Sequence, residues 1–225
     1  MKVFSSLAVK AAYLELVPRF EKSSAHKVST EWVGMADIRK RMMAGESPDL
    51  VVGSGGLIDE LIKAGKMQPG SRADLAKSGV AVAVRKGAPR PDIGSVDALV
   101  RALRAAKSLA YSSGPSGVYL ASLFQRLGIA EELKSKATQT PPGVLVGELV
   151  ARGEYEIGFQ QIPELMQVSG IDIVGPLPAE IQTVTVFAAG IPSGAKERDA
   201  AQALVKFLRS PEAAAVFKAK GMQPA

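Results

Sequence analysis

Short apolar runs typical of β-strands alternate with apolar spacings typical of helices from the start of this chain. The strand pattern occurs at Lys2–Phe4, Val28–Val33 and Leu50–Val52. A helical pattern follows each of these strands, and the third helical pattern ends at Gly65. Strict alternation of this kind predicts parallel strands joined by right-handed crossovers. The first 66 residues therefore predict a β-α-β-α-β-α unit of an α/β fold.

The first predicted helix carries an apolar stripe at helical spacing, which we expect to form its buried face: Leu7, Ala11, Leu14, Val17 and Phe20. Pro18 lies within the same stripe. Because proline has no N–H to donate to the carbonyl of Leu14, we expect this helix to kink or to be shortened.

A second α/β unit begins near the strand pattern Val80–Arg85, where the turn-rich segment KGAPRPDIGS marks a change of composition. Further strands are predicted at Leu109–Tyr111 and Ile157–Gln160, and the strand Thr183–Ala188 leads into closing helices. This order predicts two lobes, one of residues 1–79 and 182–225 and an inserted one of residues 80–181. A ligand cleft is expected between them.

The composition removes several kinds of catalytic site. The chain has no cysteine, which excludes thiol catalysis, disulfides and thiolate metal sites. His26 is the only histidine and lies in the polar turn KSSAHK, where a solvated loop residue is expected. Carboxylates are available, but no pair has a distinctive spacing: Asp37, Asp49, Asp59, Glu60, Glu156 and Glu164. We therefore expect no catalytic residue, no metal and no cofactor, and a protein that is not an enzyme.

The formal net charge is +6, but the basic residues are spread in ones and twos among acidic ones. Such a surface is expected to attract small anions rather than nucleic acid. No apolar run reaches the 18 or so residues of a membrane helix. The opening segment MKVFSSLAV is also too short for the core of a signal peptide, so the protein either stays inside the cell or has lost an export signal.

The segment YSSGPSGVYLASL at residues 111–123 places small polar residues directly before a helical pattern. The first amides of a helix have no intrahelical acceptor and carry partial positive charge, which favours anions. Ser113 or Pro115–Ser116 is predicted to start the helix, and Gly114 and Gly117 would let a ligand approach the backbone. The alternative is an ordinary helix cap in a strand-to-helix loop.

The segment FSSLAVKAA at residues 4–12 has the same order of strand end, serine pair and helix start. One such terminus in each lobe could surround a single anion, although Ser5 and Ser6 could also form a simple helix cap. VVGSGG at residues 51–56 is a third strand end that precedes a helix. Ser54 is either a cleft residue or part of an ordinary turn.

The chain as a whole resembles the periplasmic molybdate-binding proteins, the type II solute-binding components of ABC importers. The similarity lies in the order and spacing of many short segments, among them VFSS at 3–6, AGESPDLVV at 44–52, SSGPSGVY at 112–119, LVARGEYEIGF at 149–159 and VGPLP at 174–178. The resemblance implies two Rossmann-like lobes joined by a two-strand hinge. It also implies a ligand held between the lobes, a periplasmic location after removal of an export signal, and a membrane permease as partner.

The same resemblance implies ligand contacts at the first helix start, near Gly34, at the PSG turn, near Gly143 and after Phe159. Ala8 and Met35 stand where the family has serines, Gln161 stands where it has a pocket tyrosine, and Ser116 replaces a small residue. Two hydroxyls are thus lost, whereas the amides of Gln160–Gln161 are gained. Met35 is either an apolar wall of the site or core filler, and Gln160–Gln161 could instead end a strand at the surface.

The predicted function is therefore capture of a small anion by the solute-binding protein of an importer, with an organic carboxylate favoured slightly over a molybdate-like oxyanion. The candidate ligand-binding residues are Ser5, Ser6, Ala8, Gly34, Met35, Ser54, Ser113, Ser116, Gly117, Gly143, Gln160 and Gln161. The protein is expected to be a monomer that binds no nucleic acid. The alternatives are the ligand-sensing domain of a regulator and an enzyme on the same scaffold.

Overall fold

The computed structural model describes all 225 residues, and they form two compact units. Unit 1 consists of Met1–Ser78 and Thr185–Ala225, and unit 2 is the continuous segment Gly79–Val184. None of the helices combines the length and apolar character that a membrane span requires.

The strands are short except for the fourth, and in chain order they are β1 (Lys2–Ser5), β2 (Ser29–Trp32), β3 (Leu50–Ser54), β4 (Ala73–Arg85), β5 (Leu109–Tyr111), β6 (Ala137–Gln139), β7 (Ile157–Gln161), β8 (Ile171–Pro176), β9 (Val184–Gly190) and β10 (Gln223–Pro224). The α-helices are α1 (Lys10–Ser23), α2 (Met35–Met43), α3 (Gly55–Lys63), α4 (Val96–Ala105), α5 (Pro115–Arg126), α6 (Ala130–Leu133), α7 (Val146–Ala151), α8 (Ile162–Leu165), α9 (Arg198–Leu208) and α10 (Pro211–Ala219). Short 3₁₀ turns lie at Leu7–Val9 and Ala179–Ile181.

Unit 1 is built on a sheet in which β1 pairs in parallel with both β2 and β3. Strand β9 adds to β3 in the antiparallel direction, and β10 adds to β4. Successive side chains of β1 point to opposite faces, so that Val3 lies in the core shared with α1, α9 and α10, whereas Phe4 lies in the core under α2 and α3. Both faces are buried along β1 and β3, which explains the nearly continuous apolar runs of these two strands.

Unit 2 repeats the principle with other elements. Strand β5 pairs in parallel with β6 and β7, and β7 and β8 each pair with β4 in the antiparallel direction. Along β4, Val80 and Val82 pack in the core of α4 and α5, and the alternating Ala81 and Ala83 pack against Leu165 on the other face.

Helix α1 differs from the sequence expectation in two respects. It does not end at Pro18 but continues to Ser23. Its buried residues include Tyr13 and Leu16, whereas Leu14, which was expected inside, is 56% exposed. Leu7 lies in a 3₁₀ turn, which has fewer residues per turn than an α-helix, so an apolar stripe counted from Leu7 is out of phase with α1. Pro18 is tolerated because it and Leu14 are both exposed, so water can bind the carbonyl that loses its donor.

The carboxylate of Asp49 ties together three distant segments of unit 1. It accepts hydrogen bonds from the backbone amides of Lys2 at 2.7 Å, Lys196 at 2.9 Å and Glu197 at 3.0 Å. Burial acts to raise the pKa of Asp49, but these amides outweigh it, and the net shift is downward. The charged form of Asp49 is therefore the form that stabilises the fold.

We predict that Asp49→Asn lowers the free energy of unfolding by about 1.5–3 kcal/mol at neutral pH, the usual range for hydrogen bonds to a charged group. Because the folded pKa of Asp49 is depressed, this stabilisation is present above the unfolded value of 3.8 and is lost as the pH falls through the folded value. Urea unfolding of both proteins from about pH 6 down to about pH 2, a range that extends below the unfolded pKa, measures the difference. Glu131→Gln, at an exposed position, is the control, and a deficit that is the same at every pH would contradict the assignment.

Candidate functional site

The carboxyl ends of the parallel strands in unit 1 share one edge of the sheet. The 3₁₀ turn follows β1 at this edge, α2 follows β2, and α3 follows β3. We call this region the unit 1 edge and define it as Ser5–Lys10, Trp32–Met35 and Ser54–Gly56. It contains all six candidate residues that were predicted from the first part of the chain. Edges of this kind are where open α/β sheets bind ligands.

Two serines at the unit 1 edge cap the elements that follow them. The hydroxyl of Ser6 accepts from the amide of Ala8 at 3.2 Å, and that of Ser54 accepts from the amide of Leu57 at 3.3 Å. Ser5 is fully buried, and its hydroxyl lies 3.5 Å from the carbonyl of Ser6. A capping hydroxyl still has its own O–H to donate, so a cap can also contact a ligand.

Met35 and Gly34 shape the start of α2. Gly34 is the N-cap residue, and its carbonyl accepts from the amide of Ile38. Met35 packs against both hydrophobic cores of unit 1, and its sulfur lies 3.3 Å from where a Cβ on Gly53 would be. Met35 is half-buried, so its packing is compatible with both roles that the sequence left open, core filler and apolar wall of the site.

Lys10 and Trp32 are two residues of the unit 1 edge that were not singled out from the sequence. The Lys10 ammonium lies 5.5 Å from the centroid of the Trp32 ring, a distance at which a cation is attracted to the ring face. Lys10 forms no ion pair with an acidic side chain, and Trp32 is held in place by edge-to-face contact with Tyr13. The edge thus has one partly buried cation that no carboxylate of the protein neutralises.

The parallel strands β5, β6 and β7 define a corresponding region in unit 2. We call it the unit 2 edge and define it as Ser112–Gly117, Thr140–Gly143 and Gln160–Glu164. It contains all the candidate residues that were predicted from the second part of the chain. His26 lies at neither edge, since it precedes β2 at that strand's amino end, and its ring stacks on Phe20.

Helix α5 begins at Pro115 with Gly114 as its N-cap, so the alternative start at Ser113 is wrong. The hydroxyls of Ser112 and Ser116 are 2.9 Å apart, and both residues are buried. A Cβ at Gly117 would lie 1.4 Å from the carbonyl oxygen of Ser112. Gly117 is therefore required for close packing of the helix on the preceding loop, which is a sufficient reason for a glycine there without a ligand.

Thr140 was also not singled out, although it lies beside this serine pair. Its amide donates to the carbonyl of Tyr111 at 2.9 Å, while its own hydroxyl is buried and has no hydrogen-bond partner. An unsatisfied buried hydroxyl costs roughly 1–3 kcal/mol. The turn that follows reaches Gly143, which has the left-handed φ of 84°. A ligand oxygen at this edge would give the Thr140 hydroxyl the partner it lacks.

Gln160 and Gln161 are each only 1% exposed, so the alternative that they end a strand at the surface is wrong. The side-chain oxygen of Gln160 accepts from the amide of Val146 at 2.9 Å and thereby caps α7. The same side chain hydrogen bonds with the carboxyl group of Glu164, which also accepts from the backbone amide of Gln161. Amide side chains and a buried acid thus form a connected group at the end of β7.

Glu164 is the one acidic residue of the unit 2 edge. Burial raises its pKa to about 7, and the hydrogen bonds from Gln160 and Gln161 only partly offset this effect. No basic side chain forms an ion pair with it. No sequence pattern indicates this behaviour, because Glu164 is one of many acidic residues until the fold buries it.

We predict that Glu164→Gln makes stability less dependent on pH. Because the folded pKa of Glu164 is raised, its contribution to stability is complete below the unfolded value of 4.5 and is lost as the pH rises through about 7. As the pH rises through this window, wild type should lose up to about 3 kcal/mol in free energy of unfolding that the variant does not lose, at about 1.36 kcal/mol per pKa unit. Urea unfolding at pH values below and above this window measures the gain. Glu148→Gln, exposed on α7, should show none.

The chain belongs to the family of bacterial extracellular solute-binding proteins, which matches residues 1–223. Among individual proteins, it is 38% identical over 230 residues to an aconitate isomerase of Pseudomonas sp, an alignment that covers 100% of this chain and 87% of that enzyme. It is 27% identical over 217 residues to the molybdate-binding protein ModA of Azotobacter vinelandii, covering 92% of this chain and 83% of ModA. The predicted resemblance to molybdate-binding proteins is confirmed.

The structural comparisons confirm the predicted fold class, the type II periplasmic binding protein fold. The solved periplasmic molybdate-binding protein of Azotobacter vinelandii superimposes with a TM-score of 0.82 at 20% identity, covering 99% of this chain and 98% of that one. The sulfate-binding protein SubI of Mycobacterium tuberculosis H37Rv gives 0.81 at 18% identity, covering 100% and 86%. At these identities the likeness describes the fold and not the ligand.

One sequence expectation is contradicted. The chain was expected not to be an enzyme, because it lacks cysteine and has a single histidine. The relative with 38% identity over the whole chain is named as an isomerase, which is an enzyme. The lack of cysteine and of a second histidine does not exclude an enzyme, because carboxyl groups can also act in general acid–base catalysis.

Proposed function

We propose that this protein binds a small unsaturated polycarboxylate of the aconitate type and interconverts its isomers. The observation that carries the proposal is the 38% identity to the aconitate isomerase of Pseudomonas sp over the entire chain. A carboxylate ligand also agrees with the sequence analysis, which favoured an organic carboxylate because two serine hydroxyls of the family are absent from this chain. The protein would then be a member of the solute-binding family that isomerises the carboxylate it binds.

The unit 1 edge supports a ligand with several negative charges. In α3, Ser54 caps the amide of Leu57, and the amides of Gly55 and Gly56 before it have no intrahelical acceptor. Lys10, which lies over the Trp32 ring, adds a full positive charge that no carboxylate of the protein neutralises. Amides alone suffice for one anionic group, whereas an added ammonium favours a ligand with more than one carboxylate.

The unit 2 edge supports hydrogen bonding to carboxylate oxygens and transfer of a proton. The Thr140 hydroxyl lacks a partner, and the Ser112–Ser116 pair lies on the neighbouring strand end. Isomerisation of an aconitate-type compound moves one proton between two carbons of an allylic system, and the double bond shifts between them. No electron leaves the molecule, so the reaction requires an acid–base group and no redox cofactor.

The direct test is incubation of the purified protein with trans-aconitate and, separately, with cis-aconitate, followed by proton NMR. We expect both incubations to reach the same mixture of isomers. In D₂O, deuterium should enter the allylic carbons if a protein acid that exchanges with solvent carries the proton. Unchanged isomers at a protein concentration that binds the compound would overturn the proposed reaction.

A second candidate function, capture of a molybdate-like oxyanion for an importer, is supported by the whole-domain similarity to ModA. Isothermal titration calorimetry with molybdate, sulfate and trans-aconitate separates the two. The proposed isomerase should bind the carboxylate and give no heat with the two oxyanions. Tight binding of molybdate alone would favour the second candidate.

We also predict that Lys10→Gln weakens binding of trans-aconitate roughly tenfold, the effect of losing about 1.4 kcal/mol. The loss should shrink as salt rises, since screening weakens a partly exposed ion pair. Titration calorimetry at low and high salt measures it. Lys22→Gln, an exposed position at the far end of the same helix, is the matched control. Equal affinity of the Lys10 and Lys22 variants would remove Lys10 from the site.

The cellular setting follows from the family and is part of the same proposal. Extracellular solute-binding proteins act outside the cytoplasm, and those of importers deliver their ligand to a membrane permease. We infer a periplasmic location after removal of an export signal, a monomeric state and a small anionic ligand.

A further inference from the structure

We propose that Glu164 is the catalytic acid–base group that carries the proton during isomerisation. This inference rests on the proposed function. Glu164 lies in α8, which begins directly after β7 ends at the unit 2 edge. The residue as a whole is 9% exposed, and its buried carboxyl group hydrogen bonds with the Gln160 side chain and the backbone amide of Gln161.

Other ionisable side chains fit this role less well. Lys10 is a cation and is placed to bind a carboxylate, not to take a proton from carbon. His26 is at the amino end of β2 and stacks on Phe20. Asp37 at the start of α2 is exposed to solvent and lies outside both edges.

The surroundings of Glu164 suit a group that must both accept and return a proton. The side chain is held by Gln160 and by the backbone amide of Gln161, and no charged partner locks it in one form. Strand β7 carries no ionisable residue, and Glu148, the only one on α7, is exposed. Because burial raises the pKa of Glu164 to about 7, both protonation states are accessible near neutral pH, which is the condition for efficient general acid–base catalysis.

The step is balanced without any further reactant. The Glu164 carboxylate removes a proton from the methylene carbon beside the double bond, and the electron pair left on that carbon spreads over the allylic system and its carboxylates. The protonated Glu164 then returns the proton to the far allylic carbon. The double bond now lies between the other two allylic carbons, where its cis or trans configuration can differ from that of the starting isomer. Glu164 is again a carboxylate.

A structural role for Glu164 predicts different results. Glu164 is the third residue of α8 and accepts from the N-cap amide of Gln161, as in a capping box, where glutamine serves as well as glutamate. Glu164→Gln therefore keeps the cap and the shape but cannot accept a proton. The variant separates a catalytic Glu164 from a merely structural one.

The experiment compares wild type, Glu164→Gln, Glu164→Asp and the control Glu148→Gln, using trans-aconitate as the probe. We expect Glu164→Gln to bind within about threefold of wild type by calorimetry and to lose roughly 10²–10⁴-fold in kcat, the usual contribution of such a group. Glu164→Asp should retain part of the activity, and Glu148→Gln all of it. In wild type, kcat/KM should rise with pH and level off above about 7.

The outcomes are distinguishable. If wild type isomerises trans-aconitate and Glu164→Gln keeps more than a tenth of its kcat, this inference fails and the proposed function stands. If wild type binds the compound but does not isomerise it, the proposed function fails and the inference fails with it. Should Glu164→Gln not fold, Glu164→Asp decides, since activity and a pH profile identical to wild type would exclude Glu164 as the proton carrier.

Discussion

The parallel pairing of short strands is the constraint on which the rest of the structure depends. A parallel strand must be followed by a crossover, and the crossover helix begins where the strand ends. All helix starts within one parallel set therefore lie at a common edge, together with their unpaired amides. In unit 1 this places the amides after Ser54 and the ammonium of Lys10 at one edge. In unit 2 it places the serine pair, Thr140 and Glu164 at the other.

Much of the fold could be predicted from the sequence because burial leaves a direct trace in strand composition. Strands covered on both faces are apolar throughout, as in Leu50–Val52, and this pattern needs no knowledge of partners. The buried face of α1 was harder to predict, since Tyr13 and Leu14 are adjacent in the sequence and only the folded structure shows that Tyr13 is the buried one. Strand β6 has just three residues and no apolar pattern, and it becomes a strand only through its pairing with β5.

The candidate site was predictable where its signal is local. Ser6, Ser54 and Ser116 stand beside helix starts in the sequence itself, so small residues there indicate caps or anion contacts. Lys10 with Trp32, and Thr140 with the serine pair, are brought together only by strand pairing across many residues. Glu164 was harder still to predict, because its raised pKa results from burial, and no spacing of residues in the sequence indicates that burial.

The discontinuity of unit 1 has a consequence for how the protein is made. Strand β3 is completed on one side by β9, and Asp49 requires the amides of residues 196 and 197 as partners. A nascent chain that has emerged only as far as unit 2 has all of unit 2 but lacks these pieces of unit 1. The middle of the chain can thus complete its fold from its own residues, whereas the amino-terminal segment needs the last forty residues to complete its sheet and its hydrogen bonds.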